Sequence, residues 1–386
     1  MKAALIVALL LLLGVLAART ASWYQTGDFL CLYEGGRALA TGHDPYDEAW
    51  WQSATGGTYP HPLPRGGEGP SSCPGRYGYP LWTAALVLPL AVLPLEVAAS
   101  LWAALMIGGT LLGMRAAWRA VGGPVRLAPV FAAIVVTSQP FFVLLIVGQL
   151  GGLLLGLAGL LALSLARRQE RASGALLASL LVKPQVVVLA LPALLIRLRA
   201  RRRALVGAAA ALVAMTVVPM LFVPRWPFEW VDELLVRRLR VTGLLPTAWG
   251  LAADVFGNAA LGAFLVAAVI AATWLIARGR VDDVALLALT LPLSLFATPY
   301  AWSYDHLVLG VSWALVLARA EIAGAWPRLW LTVATIVVAS FAPWALYALA
   351  FTRGGETLTA VVPALTALLV AFALRASTPI AARPRV

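Results

Sequence analysis

Apolar residues run along this chain in long unbroken stretches, without the period of two that marks a half-buried strand. The stretches cover 3–19, 79–93, 95–117, 125–147, 149–166, 172–196, 204–222, 257–277, 281–298, 306–318, 326–350 and 357–375. One of them, 172–196, is broken at Lys183-Pro184. Two polar segments interrupt the series: 20–78, rich in Gly, Pro, Trp and Tyr, and 223–256, which carries Trp226, Glu229, Asp232, Glu233, Arg237, Arg238 and Arg240. Continuous apolar runs of this kind predict transmembrane helices and exclude a β-barrel. No internal repeat of fixed period is present.

Composition agrees. Apolar residues make up 61% of the 386 positions and charged residues only 12%. That balance excludes a soluble globular enzyme, a disordered chain and a disulfide-stapled secreted domain. At ~20 residues per crossing, the apolar content allows on the order of ten to twelve transmembrane helices. The fold class is therefore an all-α polytopic membrane protein. Residues 1–22 open with Lys2 and stay apolar to Ala18, like a signal peptide, but with so many spans following they are read as an uncleaved first helix.

Charge gives a topology. The net charge of +12 is explained by arginines lining cytoplasmic loops, without a nucleic-acid partner. With both termini cytoplasmic, Arg115, Arg119 and Arg126 fall inside if 79–93 lies along the outer interface. The clusters Arg167/Arg168/Arg171 and 197–203 both fall inside only if 172–196 is a re-entrant hairpin turning at Lys183-Pro184. Segments 20–94 and 223–256 are then extracytoplasmic, as are all carboxylates except Glu170, Asp282, Asp283 and Glu321. Cys31 and Cys73 share the first outer segment. An oxidising compartment permits a bridge between them; two unrelated thiols is the other reading.

The candidate chemistry lies on that outer side. Asp28 falls near the membrane–water boundary, where partial desolvation makes a carboxylate a better proton acceptor for a hydroxyl. It could equally be a helix N-cap for 29–41. Asp44-Pro45-Tyr46 reads as a turn. The aromatics of Tyr77-Gly78-Tyr79-Pro80 suit either the headgroup belt or stacking on a sugar. Gln149 follows Gly148 at a helix end, beside a glycine-rich face (Gly151, Gly152, Gly156, Gly159) that allows close helix packing. Lys183 is an intramembrane lysine, either a phosphate ligand or a partner for a carboxylate such as Asp305. Trp302, Asp305 and His306 gather at a helix start. Arg237 and Arg238 lie outside against the positive-inside trend, facing an anionic partner or pairing with Glu229, Asp232 and Glu233. Nothing matches a nucleotide loop, a zinc motif or a nucleophile elbow, so energy must come from an activated lipid or a gradient.

Taken in order, these motifs resemble a family. An Asp after the first helix, then Gly42 to Tyr46 (GHDPY), Tyr77 to Leu81 (YGYPL), Gly148-Gln149, Val182 to Pro184 (VKP) and Thr298 to His306 (TPYAWSYDH) look like the family 87 glycosyltransferases. These are polyprenol-phosphate-mannose-dependent α-mannosyltransferases of the GT-C superfamily, found in bacterial envelopes. The resemblance implies a single GT-C-type helical bundle over 1–386 in the bacterial plasma membrane, with a large first extracytoplasmic loop and its site beneath. It implies a polyprenyl-phosphate sugar donor, a glycolipid or glycan acceptor, and no metal or other cofactor. Asp28 would be the general base and His306 a second catalytic residue. Lys183, Arg237 and Arg238 would hold the donor phosphate. Tyr46, Tyr79, Gln149, Trp302 and Asp305 would bind substrate. The competing class is a lipid or glycolipid transporter, which would carry internal repeats and paired broken helices.

Overall fold

The computed structural model describes residues 27–55, 58–59, 69–70, 73, 76–236 and 243–377. The expected first helix, Arg237, Arg238 and Arg240 lie outside the described residues.

The chain is helical almost throughout. The first lobe contains α1 (Asp28–Ala40), α2 (Glu48–Thr55), a two-residue ladder of β1 (Thr58–Tyr59) with β2 (Gly69–Pro70), and α3 (Leu81–Ala91). There follow α4 (Leu95–Ala120), α5 (Ala128–Val136), α6 (Gln139–Val147), α7 (Gly151–Ala166), α8 (Glu170–Ser179), α9 (Ala190–Leu198), α10 (Arg202–Met220), α11 (Trp226–Val236), α12 (Ala248–Phe256), α13 (Gly262–Arg278) and α14 (Asp283–Ala297). A 3₁₀ segment, Ser303–Leu309, leads into α15 (Gly310–Ile322). The chain ends in α16 (Ala325–Ile336), a π-turn, α17 (Ala342–Arg353) and α18 (Val361–Ala376).

Among the described residues five helices are long and apolar enough to cross a membrane, or six if the pair α5–α6, bent by 51°, counts as one span. That is fewer than the apolar content allowed. The difference lies in the interior. The helices that pack around the centre, α7 and α14, are only 16 and 15 residues long and almost wholly buried. Interior helices need not meet the lipid, so breaks and short lengths are tolerated where neighbouring protein satisfies the backbone.

α4 and α7 run parallel and pack backbone to backbone. Gly109 and Gly113 on one helix face Gly152, Gly156 and Gly159 on the other. A Cβ added at Gly152 would fall on the Met106 carbonyl, and one at Gly159 on the Gly113 carbonyl. Lipid offers little hydrophobic drive for helix association, so backbone approach through small residues supplies the dispersion contact instead.

The segment 170–198 folds back on itself as expected. Arg168, Arg197 and Arg201 line one cavity with Asp282 and Asp283, while Lys183, at the turn, meets Gln149 and Asp305. The two basic clusters therefore share one end of the bundle, and the lysine sits at the other.

At the lysine end, the first lobe is organised around Tyr77, which is fully buried. Its ring lies 5.5 Å from those of Trp51 and Tyr79 and 5.9 Å from that of Tyr46. Cys31 and Cys73 are bridged, with Cα atoms 5.3 Å apart, and Trp51 Nε1 donates to the Cys73 carbonyl at 3.0 Å. The bridge ties α1 to the strand of chain that carries the tyrosines.

Two outcomes follow. Gly152→Ala should lower the thermal midpoint by the equivalent of ~1–3 kcal/mol, the usual cost of overpacking, whereas Gly108→Ala, with nothing near its added Cβ, should not. Alkylation of the folded protein should label neither cysteine until it is reduced. Removing the bridge with Cys73→Ser should cost roughly 3–4 kcal/mol for a closed loop of this length in the chain-entropy model.

Candidate functional site

Asp28 opens α1, but it does not cap it. The N-cap is Gly27, and no side chain caps the helix. The Asp28 carboxylate turns instead into the bundle, where its Oδ2 accepts from Gln149 Nε2 at 2.8 Å and from the Tyr304 hydroxyl at 3.2 Å. Among the described residues nothing donates to Oδ1. The residue is 95% buried, so a small part of the carboxylate remains accessible.

Gln149 reaches this position because the chain reverses at Gly148, whose φ of 71° suits a residue without a Cβ. Trp102 Nε1 holds the Gly148 carbonyl at 2.7 Å, and the Trp102 ring stacks on Phe29 of α1 at 5.5 Å. A Cβ on Gly27 would meet the Val147 carbonyl at 2.8 Å. The start of α1 is thus pressed directly against the α6–α7 turn. Gln149 Nε2 also lies 2.6 Å from the Tyr79 hydroxyl, and its Oε1 accepts from Lys183 Nζ at 3.3 Å. One amide therefore joins Asp28, Tyr79 and Lys183.

Lys183 sits between two short 3₁₀ segments at the tip of the hairpin, where Pro184 prevents a continuous helix. It is almost fully buried. Its Nζ lies 2.5 Å from Asp305 Oδ1 and 4.6 Å from the centre of the Tyr304 ring. Asp305 in turn accepts from the Trp302 backbone N–H at 3.1 Å through Oδ2, which fixes the start of the 3₁₀ segment. Of the two roles open to Lys183, the carboxylate pairing is the one this structure contains.

Beside the lysine is an apolar cavity of about 240 Å³. Its walls come from Tyr79 and Pro80, from Val182 to Gln185, from Trp230 and Leu234 of α11, and from Thr298 to Tyr300. Among the described residues Lys183 is the one charged residue in that lining.

The other expected site residues are placed differently. Tyr46 is buried, and its hydroxyl donates to the Tyr79 carbonyl at 2.6 Å. Burial, with the Tyr77 phenol and the Asp44 carboxylate adding to it, pushes the Tyr46 phenol well above its ordinary range, so it is a neutral donor that braces Tyr79. The turn before it is as expected, with the Tyr46 N–H on Asp44 Oδ1 at 2.8 Å. Trp302 Nε1 donates to the Tyr300 hydroxyl at 3.1 Å, and the ring packs with Val143, Val147, Leu245 and Tyr347, outside the cavity lining. His306 is fully buried, and among the described residues neither ring nitrogen has a hydrogen-bond partner. The structure does not bring it into the hydrogen-bonded set around Asp28.

Sequence reasoning missed Tyr304, Tyr300 and Glu356. Tyr304 was in view as part of the 298–306 run, but its partner Asp28 is 276 positions away. Glu356, buried at the start of the last helical segment, accepts from the Ser303 N–H at 3.0 Å and steadies the same loop. Among the described residues no three His, Cys, Asp or Glu side chains come close enough together to hold a metal ion.

Comparison with known proteins agrees with this geometry at the level of the family. No curated protein and no solved structure matches the chain. The model of glycosyltransferase family 87 matches residues 77–299, more than half of the chain, and that region contains Tyr79, Gln149 and Lys183. Asp28 and Asp305 lie beyond it. A match of that extent, running through the hydrogen-bonded centre of a multi-pass helical bundle, establishes that the chain belongs to glycosyltransferase family 87 and is a membrane glycosyltransferase.

Proposed function

We propose that the protein transfers a hexose, mannose being the expected one, from a polyprenyl-phosphate donor to an acceptor hydroxyl, with Asp28 as general base. The observation that carries this reading is a carboxylate with one oxygen unengaged among the described residues, linked through a single amide to a lysine that lines an apolar cavity. An isoprenoid phosphate needs both an apolar wall and a cation, and the two are adjacent here.

In this reading the acceptor oxygen attacks the anomeric carbon as its proton passes to Asp28 Oδ1. The anomeric carbon–oxygen bond to phosphate breaks, and the electron pair leaves with the polyprenyl phosphate. A β-linked donor would give an α-linked product by inversion. Gln149 and Tyr304 both donate to Oδ2, which aims the carboxylate and leaves Oδ1 for the acceptor. Lys183 would stabilise charge developing on the departing phosphate, and the Asp305 pair would loosen as it does so. Arg237 and Arg238, following α11, are proposed as further phosphate ligands. The site would face the extracytoplasmic side of a bacterial plasma membrane, and the acceptor would be a glycolipid or glycan.

The direct test is incubation of the purified protein with polyprenyl-phosphate mannose and a glycolipid acceptor, reading release of polyprenyl phosphate. Transfer from a nucleotide sugar but not from the lipid-linked donor would sink the donor assignment. Asp28→Asn preserves an acceptor for Gln149 and Tyr304 but removes the base; turnover should fall ~10²–10⁴-fold while donor binding is nearly retained. Near-normal turnover would remove Asp28 from the mechanism.

The lysine needs a different design from a single substitution. Lys183→Met alone would strand the Asp305 carboxylate, at about 3–5 kcal/mol, and would confuse folding with function. Lys183→Met with Asp305→Asn leaves no buried charge unpaired. That double variant should fold and lose donor affinity; a folded double variant with unchanged affinity would make the pair purely structural.

A further inference from the structure

The opposite end of the bundle carries a second cavity that the glycosyl transfer does not use. It has a volume of about 460 Å³ and lies between the ends of α4, α7 and α9 and the start of α14. Four arginines line it, Arg168, Arg197, Arg201 and Arg319, against two carboxylates, Asp282 and Asp283.

The pairing within it is incomplete. Asp283 takes Arg201 at 2.8 Å and Arg197 at 3.4 Å. Arg197 is also held by the Gly279 carbonyl at 2.5 Å and by that of Val281, so its guanidinium is fixed in place. Asp282 spends one oxygen capping α14 through the Ala285 N–H at 2.8 Å, and its other oxygen meets Arg319 only at 3.4 Å. Arg168 has no ion pair or side-chain hydrogen bond among the described residues. Among the described residues of the lining, four guanidinium groups thus face two carboxylates, an excess of two formal positive charges.

Arg168 is also the single non-glycine residue with positive φ among the described residues, at 56°. It ends α7 in the conformation where glycine or asparagine is usual. An arginine held there is costly locally, and the turn puts Arg168 in the cavity lining. The rest of the wall is apolar, with Val121, Leu165 and Leu315.

We infer that this cavity binds a phosphate ester, its anionic oxygens taken by Arg168 and Arg319 and its carbon portion lying on the apolar wall. Guanidinium forks suit phosphate oxygens, and basic pockets between membrane helices are where phospholipid headgroups are held. The same chemistry is offered by an anionic phospholipid and by a soluble phosphate ester.

Native mass spectrometry of the full-length protein, delipidated and then mixed with phosphatidylglycerol or phosphatidylcholine, tests the inference. Phosphatidylglycerol should be retained preferentially. Arg168→Ala should weaken its retention about fivefold, the effect of one basic group near an anionic headgroup, and Arg168→Lys should restore part of it. Arg168 supports no other side chain, so truncation should not disturb folding. Arg375→Ala removes the same charge at the far end of α18, outside the cavity, and should have little effect. Glycerol 3-phosphate separates the sources: its displacing the lipid assigns a soluble ester, and its failure to do so assigns the phospholipid. Equal losses in Arg168→Ala and Arg375→Ala would overturn the inference, as would equal retention of the two lipids with no binding of glycerol 3-phosphate.

Discussion

A lysine ammonium inside an apolar bundle must be met by an anion or by several acceptors, and most of the site follows from how Lys183 is met. Asp305 supplies the anion and Gln149 an amide oxygen. To bring Asp305 there, the chain between α14 and α15 abandons regular α-helix for the 3₁₀ segment Ser303–Leu309, which Glu356 steadies from the other side. To bring Lys183 there, the segment 170–198 must turn back inside the protein, at Pro184. Gln149, once fixed by the lysine, has its donor group left for Asp28. The general base proposed for the reaction is thus held by the same network that makes a buried cation tolerable.

That network requires rigid walls, and glycine supplies them. The parallel pair α4–α7 is packed backbone to backbone, so the Gly148–Gln149 turn at the head of α7 cannot shift without moving α4. Trp102 belongs to α4 and grips both that turn and Phe29 of α1. Small residues and one indole therefore locate three separate elements around a single amide side chain.

Much of this was legible in the sequence, and the part that was not has a common cause. Span-length apolar runs, the hairpin at Lys183-Pro184 and the glycine face of α7 are local patterns, and each is present. Asp28 could be singled out by position, but the choice between cap and base depended on Gln149 and Tyr304, which are distant in sequence. The cap would have left its side chain on its own helix; the structure turns it away. His306 sits next to Asp305 in sequence, and adjacency made both look functional. One residue along a 3₁₀ segment is a rotation of a third of a turn, so neighbours need not share surroundings, and the hydrogen-bonded set includes only one of them. Tyr46 shows the same limit: a residue beside a turn in the sequence is buried in the fold, with its hydroxyl on the Tyr79 carbonyl. The cavity beside Lys183 is made by four segments and has no signature in any one of them.

The Cys31–Cys73 bridge bears on how the molecule is inserted. It fastens α1 three residues beyond Asp28 to the stretch that carries Tyr77 and Tyr79, so the covalent link and the hydrogen-bonded centre share one short helix. In the extracytoplasmic orientation proposed for the site the bridge can form, whereas a chain threaded the other way round would place both thiols in the reducing compartment. It would then lack the fastening as well as the orientation. In that orientation, correct insertion and a well-held carboxylate are linked through one covalent bond.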